Sequence, residues 1–120
     1  MIETITYSEA EEKTKNLTDK LLVVFLTQKD CPVCGPWLQD VWTPILKDKG
    51  NEIEAYKVYV EDIIFKPANT PMSYFFVPNK KEYNPIIRPG TAPFDMVWQD
   101  VLKILEMKNT GKTIKEVYYG

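Results

Sequence analysis

Leu21-Leu22-Val23-Val24-Phe25-Leu26 is the longest unbroken apolar run in the chain, and polar segments bound it on both sides. Its length and its β-branched and aromatic content predict a strand buried on both faces, at the centre of a sheet. Ahead of it, Ser8-Glu9-Ala10-Glu11 has the form of a capping box and predicts a helix from there to about residue 19. Ala10, Thr14 and Leu17 supply its weak apolar face, and the alternating Lys and Glu of residues 9–20 read as its solvated one.

Beyond the apolar run, polar residues 27–30 predict a short loop. Trp37, Leu38, Val41, Trp42, Ile45 and Leu46 then recur at spacings of one, three and four, the stripe of a core-facing helix that begins at the cysteines. Pro32 suits its first turn, whereas Pro36 and Pro44 predict a kinked or two-part helix. Lys49-Gly50-Asn51 stops it. Residues 53–60 alternate, with Ile53, Ala55, Lys57 and Tyr59 on one face, and predict a second strand. Residues 61–70 leave room for no more than a short helix.

Residues 72–77 predict a third strand, turned by Pro78-Asn79-Lys80-Lys81 into a hairpin partner over residues 83–88 that Pro85 confines to an edge. A last long helix, starting at Thr91 or Pro93 and closed by Asn109-Thr110-Gly111, turns Phe94, Val97, Trp98, Val101, Leu102 and Leu105 to the core. Residues 112–120 fit a strand, a helical turn or a docked tail. Trp37, Trp42 and Trp98 all sit on apolar helix faces and read as core residues. No repeat, linker or low-complexity stretch interrupts the chain, which reads as one domain over residues 1–120.

Composition narrows the function. A chain of 120 residues buries roughly two-thirds of its unfolded surface and needs no staples. A net charge of −2 and a pI near 5.2 provide no basic footprint for nucleic acid. The N-terminal residues lack a basic segment followed by an apolar run, and residues 21–26 are too short to cross a bilayer, so the expectation is a soluble, cytoplasmic protein.

Cys31 and Cys34 are the only cysteines, and there is no histidine. A bridge between residues three apart constrains the unfolded chain little, so stability is not its purpose. One chain cannot complete a four-ligand Cys or Cys/His zinc site, and Cys-His catalysis within it is excluded. A zinc ion shared between two chains stays open, but no metal is assigned.

A strand, a short loop and then Cys31-Pro32-Val33-Cys34 at a helix start make a redox mechanism. The thiolate is the nucleophile, and a helix N-terminus favours negative charge, which draws Cys31 below the usual thiol value of about 8.5. Cys34, deeper in the helix, is then the buried partner that resolves a mixed disulfide. Asp30 opposes the first effect, since its charge sits beside the thiolate. Two local fields thus act on Cys31 in opposite directions.

This order of elements resembles the thioredoxin superfamily over roughly residues 4–107. Thr70-Pro71-Met72-Ser73-Tyr74-Phe75-Phe76 looks like the family's second signature. The resemblance implies an α/β thioredoxin fold with a mixed central sheet of four to five strands flanked by helices. It also implies that Pro71 is cis, that the backbone of Thr70 pairs with the substrate chain, and that Gly90 lets a partner approach. With Pro32 and Val33 these residues form the expected substrate surface.

The chain also departs from the family. Asp30 stands where thioredoxins have tryptophan, Pro32-Val33 replaces Gly-Pro, and Phe25 replaces the buried aspartate that serves as proton acceptor. Lys57, at the place of a family lysine, is either a neighbour of the cysteines or a surface residue, and Asp30 is either a proton relay or a helix cap. Cys-Pro-x-Cys is closer to glutaredoxins, but those need cations for the glutathione carboxylates, and Arg88 is the only arginine here. The implied function is thiol–disulfide exchange with protein substrates. It needs no cofactor beyond a reductase or reductant to reset the pair. The competing reading is a non-enzymatic binding module on the same scaffold.

Overall fold

The computed structural model describes residues 2–62, 70–80 and 84–119. Five strands form one mixed sheet in the order β1-β3-β2-β4-β5. They are β1 (Glu3–Thr4), β2 (Leu21–Thr27), β3 (Ile53–Tyr59), β4 (Met72–Phe76) and β5 (Ile86–Pro89). β1 and β2 run parallel to β3, while β4 runs antiparallel to β2 and to β5. Every residue of β2 is buried, as a strand with helices on both faces requires. The two-residue β1 carried too little pattern for the sequence to reveal it.

The period of two along β2 divides the interior. Leu21, Val23 and Phe25 face one core with Trp42, Ile45, Phe75, Val101 and Ile104; Leu22, Val24 and Leu26 face a second with Ile5, Ala10 and Val58. Trp42 centres the first core, its ring 4.9 Å from Phe25 and 5.9 Å from Phe75 between centroids.

Helix α1 (Tyr7–Lys15) is shorter than the pattern predicted and starts on a different cap. Thr6, not Ser8, caps it: Glu9 N–H donates to Thr6 Oγ1 at 3.1 Å, and Thr6 N–H donates to the Glu9 carboxylate at 3.2 Å. Two overlapping boxes compete here. Thr6 wins because it puts Ile5 just before the cap and Ala10 one turn in, and both are buried in the second core as a hydrophobic staple. The helix ends early because Asn16 Nδ2 donates back to Glu12 O at 3.0 Å.

The cysteine-bearing helix comes in pieces: α2 (Cys34–Trp37), a π-helical turn (Leu38–Trp42) and α3 (Thr43–Lys49). Pro44 has no N–H to give, and the wider π turn carries the chain past it while the Thr43 N–H donates to Leu38 O. Beyond β3, Val60–Asp62 form a single 3-10 turn. Residues 63–69 of that connection, Lys81 of the predicted turn and Tyr83, where the hairpin partner is predicted to begin, lie outside the described residues.

β5 is an edge strand, as Pro85 required, and Asn84 closes the hairpin ahead of it. Its side-chain amide accepts from Val77 N–H at 2.7 Å and donates to Val77 O at 2.8 Å. Helix α4 (Phe94–Thr110) follows Pro93 and ends on Gly111, whose φ of 75° is the left-handed cap that glycine allows. Val97, Val101, Ile104, Leu105 and Met107 form its buried face. Phe94 and Leu102, predicted inward, are exposed: Phe94 is the first residue of the helix and stacks on Trp98 with centroids 5.9 Å apart, while Leu102 lies more than a quarter-turn off the stripe centred on Val101 and Ile104. The tail forms α5 (Ile114–Tyr119). No described helix is long and apolar enough to cross a membrane.

Candidate functional site

Strand register brings three separated segments to one end of the sheet, at the C-terminal end of β2. β2 runs out at Thr27, while Met72, the first residue of β4, pairs with Leu26 on one side and Pro89 on the other. The loop to Cys31, the Thr70-Pro71 pair and Gly90 therefore converge there. Gly90 N–H donates to Pro71 O at 2.8 Å and locks two of these segments together. The Thr70–Pro71 peptide bond is cis, and so is Asn84–Pro85. Gly90 has a φ of 75°, a conformation that favours glycine at this turn.

Cys31 and Cys34 are joined by a disulfide, their Cα atoms 5.5 Å apart. The helix starts at Cys34 and not at Cys31, which sits in the turn before it with its N–H on Gln28 O at 3.2 Å. Cys34 is 2% exposed, whereas Cys31 is only half-buried. The Cys34 N–H points at Cys31 Sγ from 3.2 Å. A backbone donor held in that position stabilises negative charge on Cys31 whenever the pair is reduced. Pro32 is exposed, and Val33 beside it is 52% exposed, an apolar contact point next to the bridge.

Phe25 is fully buried under this region and meets Trp37 edge-on with centroids 6.2 Å apart. Lys57 is its register partner on β3, half-buried, and lines a depression of about 700 Å³ with Gly35, Pro36, Leu38 and Asp40. Its ammonium reaches over the Tyr59 ring, 5.6 Å from the centroid. Asp30 is exposed in the loop before Cys31. Thr70 is half-buried at the head of the cis bond.

Its place on an apolar helix face makes Trp37 a core residue, and it does more. Its Nε1 donates to Ala92 O at 2.9 Å, which ties the cysteine helix to the segment after Gly90. Arg88 is engaged elsewhere: its Nε donates to Asp100 Oδ2 at 2.8 Å and one guanidinium nitrogen donates to Tyr118 Oη at 3.1 Å. The Asp100 hydrogen bond raises the Arg88 pKa further. No group of three or more metal-ligating side chains occurs among the described residues.

No protein-family model and no curated protein sequence matches the chain. Solved structures do. The thioredoxin of Thermus thermophilus superposes with a TM-score of 0.67 at 15% identity, over 92% of this chain and 93% of that one. That of Fasciola hepatica gives 0.66 at 18% identity, over 85% and 98%. The germline-specific Drosophila thioredoxin Deadhead gives 0.66 at 15% identity, over 86% and 98%. The chain has the thioredoxin fold.

Proposed function

We propose that this chain is a thiol–disulfide oxidoreductase that exchanges its Cys31–Cys34 pair with disulfides of protein substrates. The observation that carries the reading is the asymmetry of the pair. Cys31 is accessible outside the helix with an N–H aimed at its sulfur, and Cys34 is buried at the helix start. In the reduced state the Cys31 thiolate attacks one sulfur of a substrate disulfide, forming a mixed disulfide and releasing the other substrate sulfur as a thiolate. The Cys34 thiolate then attacks Cys31 Sγ, closes the protein's own bridge and frees the substrate's second thiolate. An external dithiol or a reductase supplies the two electrons that reset the pair.

Pro32, Val33, Thr70, Pro71 and Gly90 form the surface around Cys31 in this reading, with the Thr70 backbone pairing with the substrate chain. Asp30 and Lys57 are the charges set to modulate the thiolate. A protein substrate is favoured over glutathione because Arg88, the one arginine of the sequence, is already held by Asp100 and Tyr118. The test is insulin reduction with dithiothreitol as electron source. The wild type accelerates precipitation of the insulin B chain well above the uncatalysed rate, and Cys31→Ser abolishes the acceleration. A wild type at background, with its pair inert across a glutathione redox titration, would favour the non-enzymatic binding module instead.

A further inference from the structure

The accessible charges near Cys31 are sorted by side. On the β3 side, Lys29 N–H donates to Glu61 Oε2 at 3.0 Å, and the Lys29 ammonium lies over the Tyr59 ring, 5.6 Å from its centroid. The Lys57 ammonium is also 5.6 Å from that centroid. Both lysines are thus drawn to β3, on the far side of β2 from β4 and β5.

The β5 side carries the opposite sign. Beyond the Gly90 turn, whose N–H is held by Pro71 O, an open cleft of about 620 Å³ runs between β5 and the first turns of α4. Trp37, one helical turn past Val33 and bonded to Ala92 O, joins the cysteine turn to this cleft. Pro89, Thr91, Asp95, Met96 and Gln99 are the exposed residues of its lining. Arg88 and Asp100, also in the lining, neutralise each other in an ion pair at 2.8 Å. Asp95 has no ion pair among the described residues and leaves the lining negative. Asp30, exposed directly before Cys31, adds a second negative charge beside the bridge.

These accessible groups specify a partner. Met96, 63% exposed, and Pro89 offer apolar surface, and Asp95 offers a carboxylate in the same cleft. Their complement is a long apolar stem with a cationic head, the side chain of lysine or arginine. The unbranched thioether of Met96 adapts to either stem. An aspartate or glutamate is repelled by Asp95 and meets no unpaired cation of the described lining. A substrate chain that pairs with Thr70 passes the Gly90 turn, so side chains a few residues from its cysteine enter this cleft. We propose that the substrates are protein disulfides flanked by lysine or arginine, whose side chain lies along Met96 and pairs with Asp95; the inference rests on the exchange reading above and names its substrate class.

The probes are short peptides with a central cysteine, oxidised to symmetric dimers and carrying lysine, glutamate or alanine at the second and third positions on either side. Second-order rate constants with the pre-reduced full chain are divided by those of dithiothreitol with the same peptide, which removes the effect of the flank on the sulfur itself. At low salt the lysine peptide reacts about fivefold faster than the glutamate peptide, the range of an exposed ion pair, and added salt narrows the ratio. Asp95→Asn lowers the ratio and Asp95→Lys inverts it. The ratio is internal to each protein, so any change in the reactivity of Cys31 cancels. Equal rates or a faster glutamate peptide in the wild type overturn the proposal, and so does a lysine preference that Asp95→Lys leaves intact. The alanine peptide keeps the two readings apart. A chain that reduces it but shows no charge preference is an oxidoreductase of another substrate class, whereas a chain that reduces none of the three peptides is no oxidoreductase, and both readings fall.

Discussion

Phe25 on the central strand is in register with Lys57 on β3, and its ring meets Trp42 edge-on at 4.9 Å between centroids. The strand beneath the cysteines is therefore secured by aromatic packing where a carboxylate would have sat next to a lysine. Phe25→Ala should cost about 3–5 kcal/mol, and Phe25→Leu less than about 1.5 kcal/mol because volume is largely kept. Phe25→Asp should exceed the alanine cost, since it adds a buried charge to the lost ring. Urea midpoints at constant m-value measure all three. If Phe25→Asp proved as stable as Phe25→Leu, Lys57 would be reaching across to pair with the carboxylate, and the packing argument would fail.

The cap of α1 separates two overlapping sequence boxes. Thr6→Ala should destabilise the protein by about 1 kcal/mol, because Glu9 N–H loses its acceptor. Ser8→Ala should change stability by less than about 0.5 kcal/mol, as an exposed substitution away from any cap. Thermal melts of the two variants decide it, and the reverse order would return the cap to Ser8.

How far the sequence showed all this depends on how local each signal is. Residues 21–26 announce the central strand because burial on both faces leaves no alternation, and Cys31 and Cys34 announce the site because the strand-to-helix transition is itself the signal. The two boxes at Thr6 and Ser8 were not separable, since the choice is made by Ile5 and Ala10 packing into a core that exists only in the fold. Leu102 looked inward because a stripe read at spacings of three and four is wider than the face α4 buries. The bond from Trp37 to Ala92, 55 residues away, had no sequence signal at all.

Tyr118 holds α5 to the body by donating to Asp100 Oδ1 at 2.9 Å and accepting from Arg88. Burial first, then the Asp100 hydrogen bond, pushes its pKa up to about 12. A phenol whose pKa is raised on folding contributes stability that is complete below its unfolded value of about 10 and is lost as pH rises through the folded one. Docking of α5 should therefore weaken between about pH 10 and 12. Tyr118→Phe should start about 1 kcal/mol less stable at neutral pH and show no such additional loss. Denaturation of both proteins across this window checks the sign: the gap between them narrows as pH rises, and a gap that widens would place the ionised phenolate, not the phenol, in the folded contact.

In the proposed exchange, burial of Cys34 beside an accessible Cys31 orders the two steps. In reduced protein, iodoacetamide should alkylate Cys31 first, because the attacking sulfur must reach the reagent as a thiolate and Cys34 is 2% exposed. Cys34→Ser removes the sulfur that attacks the mixed disulfide and leaves Cys31 outside the helix with its access unchanged. The Cys34 N–H that points at Cys31 Sγ is a backbone group, so the serine variant keeps it. This variant should accumulate adducts with reduced-and-reoxidised insulin chains that survive until an external thiol is added, and peptide mass spectrometry should place every adduct on Cys31. Cys31→Ser should form none at a comparable rate. Adducts forming on Cys34 in that second variant as fast as on Cys31 in the first would mean that the helix opens to expose it, and the order of the steps would have to be reversed.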